Sequence, residues 1–516
     1  MPEKTAAQKK ALLESYVRRI LAARVYDVAV ETPVQAAPLM SQRLGNQVWL
    51  KREDLQPVYS FKCRGAYNRM TTLSEAQRAR GVICASAGNH AQGMALGAAH
   101  LGIRALIVMP RTTPEIKVKA VRARGVRVVL HGDAFDEALL HARELEAKEG
   151  LTFIHPYDEP DVIAGQGTVA VEILRQLSGP LDAIFIPVGG GGLAAGIAAY
   201  VKYLRPEIRI VGVEPEDAAC LQAAMKHKRR VELAEVGLFA DGVAVRQIGK
   251  ETFRILRHFC DEVVTASTDE ICAAVKDTFE DTRAVCEPAG VLALAGLKKW
   301  VQQNDARNLS LLAIQSGANV NFDRLQHIAE RAEVGEQREA ILAVTIPERP
   351  GAFRRFCQAI GKRAVTEFNY RYNDPEQANI FVGLQVAPDG EGLSNLLALL
   401  ADKGYPVEDM TGNEMAKVHI RHMVGGPSPE RSLDELLFRV RFPERPGALM
   451  KFLQSLGSRW NISLFHYRNH GAAYGRVLVG FQVPAGQGKA LRKELAALNY
   501  PVQEESDNPA YLRFLN

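Results

Sequence analysis

Ser60-Phe61-Lys62-Cys63-Arg64-Gly65-Ala66 sets a lysine between an aromatic residue and a small, turn-prone stretch. It follows a polar run that reads as a strand, Val48-Trp49-Leu50-Lys51-Arg52-Glu53. A lysine amine so placed can condense with an aldehyde and act as a covalent anchor. For an isolated lysine the surface reading prevails. Three segments distant in the chain change that balance.

Ser86-Ala87-Gly88-Asn89-His90 follows the apolar run Gly81-Val82-Ile83-Cys84-Ala85 and precedes a small-residue helical stretch, 91–100. A strand that enters a Gly/Asn turn and then a helix aims backbone N–H groups at whatever anion sits there. Gly189-Gly190-Gly191-Gly192-Leu193 lies between the strand-like Ala183-Ile184-Phe185-Ile186-Pro187-Val188 and a helical stretch, 194–204. Four glycines let the backbone fold tightly around a phosphate, with no Cβ in the way and the helix dipole behind it. Gln315-Ser316-Gly317-Ala318-Asn319 closes the strand-like Leu309-Ser310-Leu311-Leu312-Ala313-Ile314. Each segment has a plainer counterpart, since glycine clusters are often simple strand-to-helix turns and Ser-Gly is a common loop dipeptide. A nucleotide site is disfavoured: no Lys-Ser/Thr pair follows the glycines, and no Gly-x-Gly-x-x-Gly spacing stands near the N-terminus.

Taken in this order, the four segments resemble the fold type II pyridoxal phosphate enzymes. Within those, the chain resembles the biosynthetic threonine ammonia-lyases (threonine deaminases or dehydratases), over nearly its whole length. The resemblance implies that Lys62 holds the cofactor and, once the substrate amine displaces it, acts as general base at Cα. It implies that Gly189, Gly190, Gly191, Gly192 and Leu193 bind the cofactor phosphate through backbone N–H groups. Asn89 then meets the ring hydroxyl, and Ser86, Ala87 and Gly88 receive the substrate carboxylate. Ser316 matches the position facing the pyridine nitrogen, where a hydroxyl leaves that nitrogen largely unprotonated and favours elimination over transamination. The implied reaction converts L-threonine, with L-serine as a secondary substrate, to 2-oxobutanoate and ammonia, the first committed step of isoleucine biosynthesis.

Five further positions refine this expectation. Glu287-Pro288-Ala289-Gly290 matches a family segment lining the cleft, without a firm role for Glu287. His90 reads as a helix residue packing on its loop rather than a proton shuttle. In the similar serine racemases, a serine stands where this chain has Ala87 and serves as a second acid/base, so the resemblance implies a lyase and a poor racemase. Glu214 stands where those racemases begin a metal site, but Cys220 occupies the place of an expected carboxylate ligand, so no metal is expected.

At 516 residues the chain has length for roughly three domains. Its net charge of +5 is spread without a basic block interleaved with aromatics, which argues against a nucleic-acid partner. Seven cysteines, odd in number and never spaced Cys-x-x-Cys, argue for a reducing compartment and against a disulfide framework or thiolate metal site. The N-terminal residues carry charges throughout and show no signal-peptide core. The charge-free stretch 183–201 is long enough to suggest a membrane span, but Pro187 and four glycines make it a strand, turn and helix. The expectation is a cytoplasmic protein that does not enter the membrane.

Up to about residue 330, short aliphatic runs (104–109, 126–130, 208–213) alternate with helix-period stretches (114–124, 134–148, 269–280). That alternation predicts open, mostly parallel α/β sheets, and the resemblance implies two such lobes with the cofactor between them. A charged segment, 331–340, reads as a linker. Beyond it Thr345-Ile346-Pro347-Glu348-Arg349-Pro350-Gly351-Ala352 matches Arg441-Phe442-Pro443-Glu444-Arg445-Pro446-Gly447-Ala448 at six consecutive positions. Phe368-Asn369-Tyr370-Arg371 parallels Phe465-His466-Tyr467-Arg468, and Tyr405-Pro406-Val407 recurs as Tyr500-Pro501-Val502. The repeat predicts two ferredoxin-like βαββαβ modules, 341–412 and 436–513, joined by 413–435. Each Pro-Gly turn leaves free N–H groups at a helix start, suited to an amino-acid carboxylate.

The modules resemble tandem ACT-like regulatory units, with Gly351, Phe353, Tyr370, Gly447, Leu449 and Tyr467 as candidate effector residues. The resemblance implies a homotetramer inhibited by isoleucine and activated by valine. Two other classes stay open: a different fold type II enzyme, such as a serine dehydratase, and a non-catalytic amino-acid sensor with a dead enzyme lobe.

Overall fold

The computed structural model describes residues 5–511 apart from 114, 134, 323, 373, 388–390, 419, 423–433, 444–449, 451, 455–458, 469–473, 499 and 509–510. The chain divides into two compact units, Met1–Ala332 and Glu333–Asn516.

In the first unit the aliphatic runs form β1 (Val34–Ala36), β2 (Gln47–Arg52), β3 (Val82–Ala85), β4 (Ala105–Met109), β5 (Arg127–Leu130) and β6 (Thr152–Phe153). They continue as β7 (Ala183–Pro187), β8 (Arg209–Pro215), β9 (Glu262–Ala266) and β10 (Ser310–Gln315). One sheet runs β1-β2-β10-β7-β8-β9, parallel except for the β1–β2 pair. The other runs β5-β4-β3-β6 and is wholly parallel. Every residue of β7 and β10 is buried, as central parallel strands must be when helices cover both faces. These are the two open α/β lobes of a fold type II catalytic part.

The helices begin where local chemistry starts them. Ser267 and Glu270 form a capping box before helix Thr268–Thr282, and Pro160 and Pro288 occupy first-turn positions of their helices. The stretch 183–201 is β7, a turn and the helix Gly192–Leu204. Among the described residues no helix is long and apolar enough to cross a membrane.

Helix Lys62–Thr71 is fixed by close packing and by buried charge. A Cβ on Gly93 would lie 2.9 Å from the Cys63 nitrogen, so helix Asn89–Leu101 meets helix Lys62–Thr71 backbone to backbone. On its other side Arg64, fully buried, donates to Glu53 (2.8 Å) and Glu172 (2.6 Å), while Lys51 donates to Glu172 (2.6 Å). Two cations and two carboxylates neutralise one another without water, which is how the polar strand run ahead of Lys62 can be interior.

The second unit is one antiparallel sheet. Its strands are β11 (Glu339–Pro347), β12 (Val365–Arg371), β13 (Gln377–Gln385), β14 (Val407–Asp409), β15 (Asp434–Pro443), β16 (Asn461–Arg468), β17 (Tyr474–Val483) and β18 (Val502–Glu504). The order β14-β11-β13-β12-β16-β17-β15-β18 is a ferredoxin-like arrangement followed by its mirror, joined by β12 against β16. Helices Ala352–Ile360, Glu391–Asp402 and Gly488–Ala496 belong to it. The charged segment before it is mostly regular structure: helix Arg324–Gly335 runs into it, and β11 starts at Glu339.

Candidate active site

All four sequence segments lie in the first unit, and three of them at helix starts. Lys62 and Asn89 are the first residues of their helices, Gly192 is the first of a third, and Ser316 follows β10. The strand ends involved are carboxyl ends of parallel strands, where open α/β sheets leave their crevice.

The Lys62 turn and the Ser316 turn are one construction. Ser60 and Gly317 form an antiparallel bridge, the Ala318 N–H donates to the Tyr59 carbonyl (2.9 Å), and the Phe61 N–H donates to the Ser316 carbonyl (3.4 Å). Ser316 is buried, and its hydroxyl donates to the Ala289 carbonyl (3.1 Å). The Lys62 amine lies 5.4 Å from the Phe61 ring centre. Its surroundings remove enough water to push its pKa down to about 8, against a smaller opposing pull from Glu287.

The glycine run is dictated by space. Gly191 has φ 90°, in the left-handed region, and caps helix Gly192–Leu204. A Cβ on Gly190 would lie 2.2 Å from the Tyr157 ring. Helix Lys250–Phe259 staples this turn from behind, since Gly249 N–H and the Thr252 hydroxyl both donate to the Gly190 carbonyl (3.3 and 2.7 Å). The N–H groups of the first helical turn have no acceptor within their helix, so they are available to an anion.

Asn89 is held at both ends of its amide. Its Oδ1 accepts from Asn319 Nδ2 (2.8 Å), and its Nδ2 donates to Glu287 Oε1 (2.5 Å). The turn before it is partly open: the Gly88 N–H donates to Ser86 Oγ (3.3 Å), and a Cβ on Gly88 would meet nothing within 4 Å. His90 faces away from acid–base work. Its Nε2 bonds the Ile154 carbonyl (2.9 Å), its Nδ1 has no hydrogen-bond partner among the described residues, and burial pushes its pKa down to about 3. Glu214 accepts the N–H groups of Leu221 and Gln222 (2.7 and 2.8 Å), while Cys220 Sγ faces the Gly189 carbonyl (3.4 Å). Among the described residues no group of three or more His, Cys, Asp or Glu side chains is arranged to hold a metal ion.

In the second unit a cavity is lined by Arg349, Gly351, Phe353 and Arg354 of one module and by Trp460 and Asn461 of the other, among others. Gly351 has φ 82° and caps its helix, and Phe353 also packs against Phe368, Tyr370 and Phe465. The Tyr370 hydroxyl donates to Glu348, which also accepts from Asn461 Nδ2 (2.9 Å). Tyr467 is buried opposite Phe368 in the β12–β16 pair. Gly447 and Leu449 lie outside the described residues.

The first unit therefore offers a lysine of lowered pKa, a backbone anion cradle and a buried hydroxyl at the carboxyl ends of its parallel strands, a donor set that fits pyridoxal phosphate. Residues 25–317 match the family described as pyridoxal-phosphate dependent enzyme. Residues 330–420 and 428–515 match the C-terminal regulatory domain of threonine dehydratase. The chain is 56% identical over 504 residues to a biosynthetic L-threonine dehydratase of Burkholderia multivorans, covering 97% of this chain and 99% of that protein. To the biosynthetic L-threonine dehydratase of Escherichia coli it is 53% identical over 500 residues, covering 97% of each. The chain belongs to the biosynthetic threonine dehydratase family.

Among solved structures, the processed form of threonine deaminase isoform 2 from Solanum lycopersicum is similar at TM-score 0.61 and 48% identity, covering 62% of this chain and 93% of that one. A serine racemase from Dictyostelium discoideum is similar at TM-score 0.54 and 29% identity, covering 61% and 99%. The enzyme is thus a pyridoxal-phosphate-dependent lyase with a regulatory part. Three side chains of its cleft had no role in the sequence reading: Asn319, Tyr157 and Thr252. Asn319 ends the quoted Ser316 segment, but nothing in the order of residues tells which way its amide turns. Tyr157, from a loop, and Thr252, from helix Lys250–Phe259, emerge only once those elements fold against the glycines.

Proposed function

We propose that the enzyme dehydrates and deaminates L-threonine to 2-oxobutanoate and ammonia, with L-serine as a secondary substrate, at the cleft floored by Lys62. The observation that carries this reading is the fusion of the Lys62 and Ser316 turns, which holds a lysine whose pKa is lowered to about 8 and a buried hydroxyl on one joined backbone frame. Pyridoxal phosphate supplies the electron sink that makes a weakly acidic Cα–H removable. Lys62 would anchor it and, once displaced, would take the Cα proton, a role favoured by the burial that lowers its pKa to about 8. Gly189 to Leu193 would donate backbone N–H groups to the phosphate, and Asn89 would donate to the ring oxygen. Ser316 would stand at the ring nitrogen, with its own proton already given to the Ala289 carbonyl. Ser86, Ala87 and Gly88 receive the substrate carboxylate in the open space above the turn.

Regulation belongs to the second unit. Isoleucine as inhibitor and valine as activator are the effectors we assign, acting on a homotetramer as feedback on the first committed step of isoleucine biosynthesis. The cavity lined by Gly351, Phe353 and Asn461 supports an amino-acid site between the two modules. Buried cysteines outside any disulfide are in keeping with a reducing, cytoplasmic setting. An oxoacid-release assay with threonine and serine, with and without isoleucine, tests the whole reading. Release from threonine that isoleucine suppresses is expected; equal release by a Lys62→Ala variant overturns the catalytic assignment.

A further inference from the structure

Glu287 occupies the N-cap position of helix Pro288–Gln303, yet its side chain makes no capping bond to that helix. An acidic side chain there ordinarily accepts from its own helix's N–H groups. This one turns instead to Asn89, whose Nδ2 donates to Oε1 at 2.5 Å. Glu287 is 3% exposed, and the glycine at 317 makes room for its carboxyl: a Cβ there would lie 2.3 Å from Oε1.

The hydrogen bonds around Asn89 have one possible direction. The Val58 carbonyl can only accept, and Asn319 Nδ2 donates to it (2.8 Å). The same Nδ2 donates to Asn89 Oδ1 (2.8 Å), so that oxygen is an acceptor and the Asn89 amide nitrogen must turn to Glu287. One Asn89 N–H goes to the carboxylate, and the other has no acceptor among the described residues.

We infer that Glu287 is the positioning residue for Asn89: it fixes the amide so that its remaining N–H is presented to the cofactor's ring oxygen. This rests on the reading of Asn89 as the donor to that oxygen. The groups facing Glu287 are Lys62 from its helix, Lys117 from helix Glu115–Arg122, and Asp241 from the turn Asp241–Val243. Burial first, and then Asp241, push its pKa up to about 7, against the pull of Asn89, Lys117 and Lys62. Its charge therefore changes across neutral pH, while a glutamine would keep an acceptor without a titration.

The test uses the cofactor-loaded enzyme and its Glu287→Gln, Glu287→Ala, Asn89→Ala and double-alanine variants. The readouts are cofactor dissociation by dialysis and the visible absorption band titrated through neutral pH. Glu287→Gln should retain cofactor but flatten the neutral-pH change in the band. Glu287→Ala should weaken cofactor retention by about tenfold, and the double variant should be no worse than Asn89→Ala alone, because both act through one amide. Fully additive losses, or an unchanged band and retention in Glu287→Ala, overturn the inference. If Asn89→Ala leaves band and retention untouched while Glu287→Ala alters them, the Asn89 reading falls and Glu287 acts on the cofactor directly. An altered Glu287→Ala with a wild-type Glu287→Gln pH profile removes the titration and leaves only the acceptor.

Discussion

Lys62 carries a proton-linked prediction of its own. Its folded pKa, lowered from 10.5 to about 8, means that the unfolded chain keeps a proton that the folded cofactor-free protein gives up. Between those values the unfolded state binds more protons, so stability must rise with pH across that window. Denaturant midpoints of the cofactor-free protein should therefore gain on those of Lys62→Met as pH rises from about 8 to about 10. Equal slopes would show that the amine is not set apart from solvent. Ala87 carries another. On the proposed reading, with a methyl group at Ala87 where a racemase-like site would need a second acid/base, Lys62 alone would return a proton to Cα, so Ala87→Ser should introduce slow racemisation of serine while some lyase activity remains. Chiral chromatography of unreacted serine reads this out, and substantial D-serine from the unsubstituted enzyme would contradict it. At this scale the sequence made the local build legible: Asn89 and Gly192 open helices after strands, and Ser316 follows β10, as the short segments predicted. The orientation of Asn89 was not legible, because it depends on Val58, Asn319 and Glu287, brought together only by folding.

Elements are held in register by contacts that short motifs do not contain. The alternation of aliphatic and helix-period stretches revealed the parallel sheets, since buried central strands must be apolar throughout. It could not reveal why a run with Lys51 and Glu53 lies inside, which takes Arg64 and Glu172 from two helices. Removing one partner leaves a buried charge without its counterpart, so Glu172→Gln should cost about 3–5 kcal/mol of stability, seen as a lower thermal midpoint. A change within measurement error would mean that the quartet is solvated. The glycine turn gives a contrasting pair. Gly190→Ala drives a methyl into the Tyr157 ring and should weaken cofactor retention by at least about tenfold. Gly88→Ala enters open space and should raise the threonine KM while leaving cofactor retention unchanged. If both variants lost cofactor alike, the two turns would not divide their labour as assigned.

For the molecule as a whole, the duplication visible in the sequence announced a paired regulatory unit, and its strand order follows from two copies of one βαββαβ pattern. The edge-to-edge joining through β12 and β16 was not legible, because both strands read alike whether they face a neighbour or solvent. The sequence limits 1–330 and 341 onward remain our working boundary for dissection, near the division at Glu333. Ending the chain at Ala332 should leave threonine dehydration and abolish the response to isoleucine, a coupling of roughly 1–3 kcal/mol between distinct sites. Full isoleucine inhibition in the shortened enzyme would move the effector site into the catalytic unit.

Joining the two modules through β12 and β16 also decides what the sheet can stick to. Any open strand edge is a template for another chain's backbone, and long apolar ones seed aggregates. Here the two longest exposures are spent on each other, and the sheet ends at β14 and β18, three residues each. Glu408, Asp409 and Glu504 charge those tips. Strand addition is thereby discouraged at both ends, so subunits that assemble through this part must meet by side chains on its faces rather than by extending its ladder.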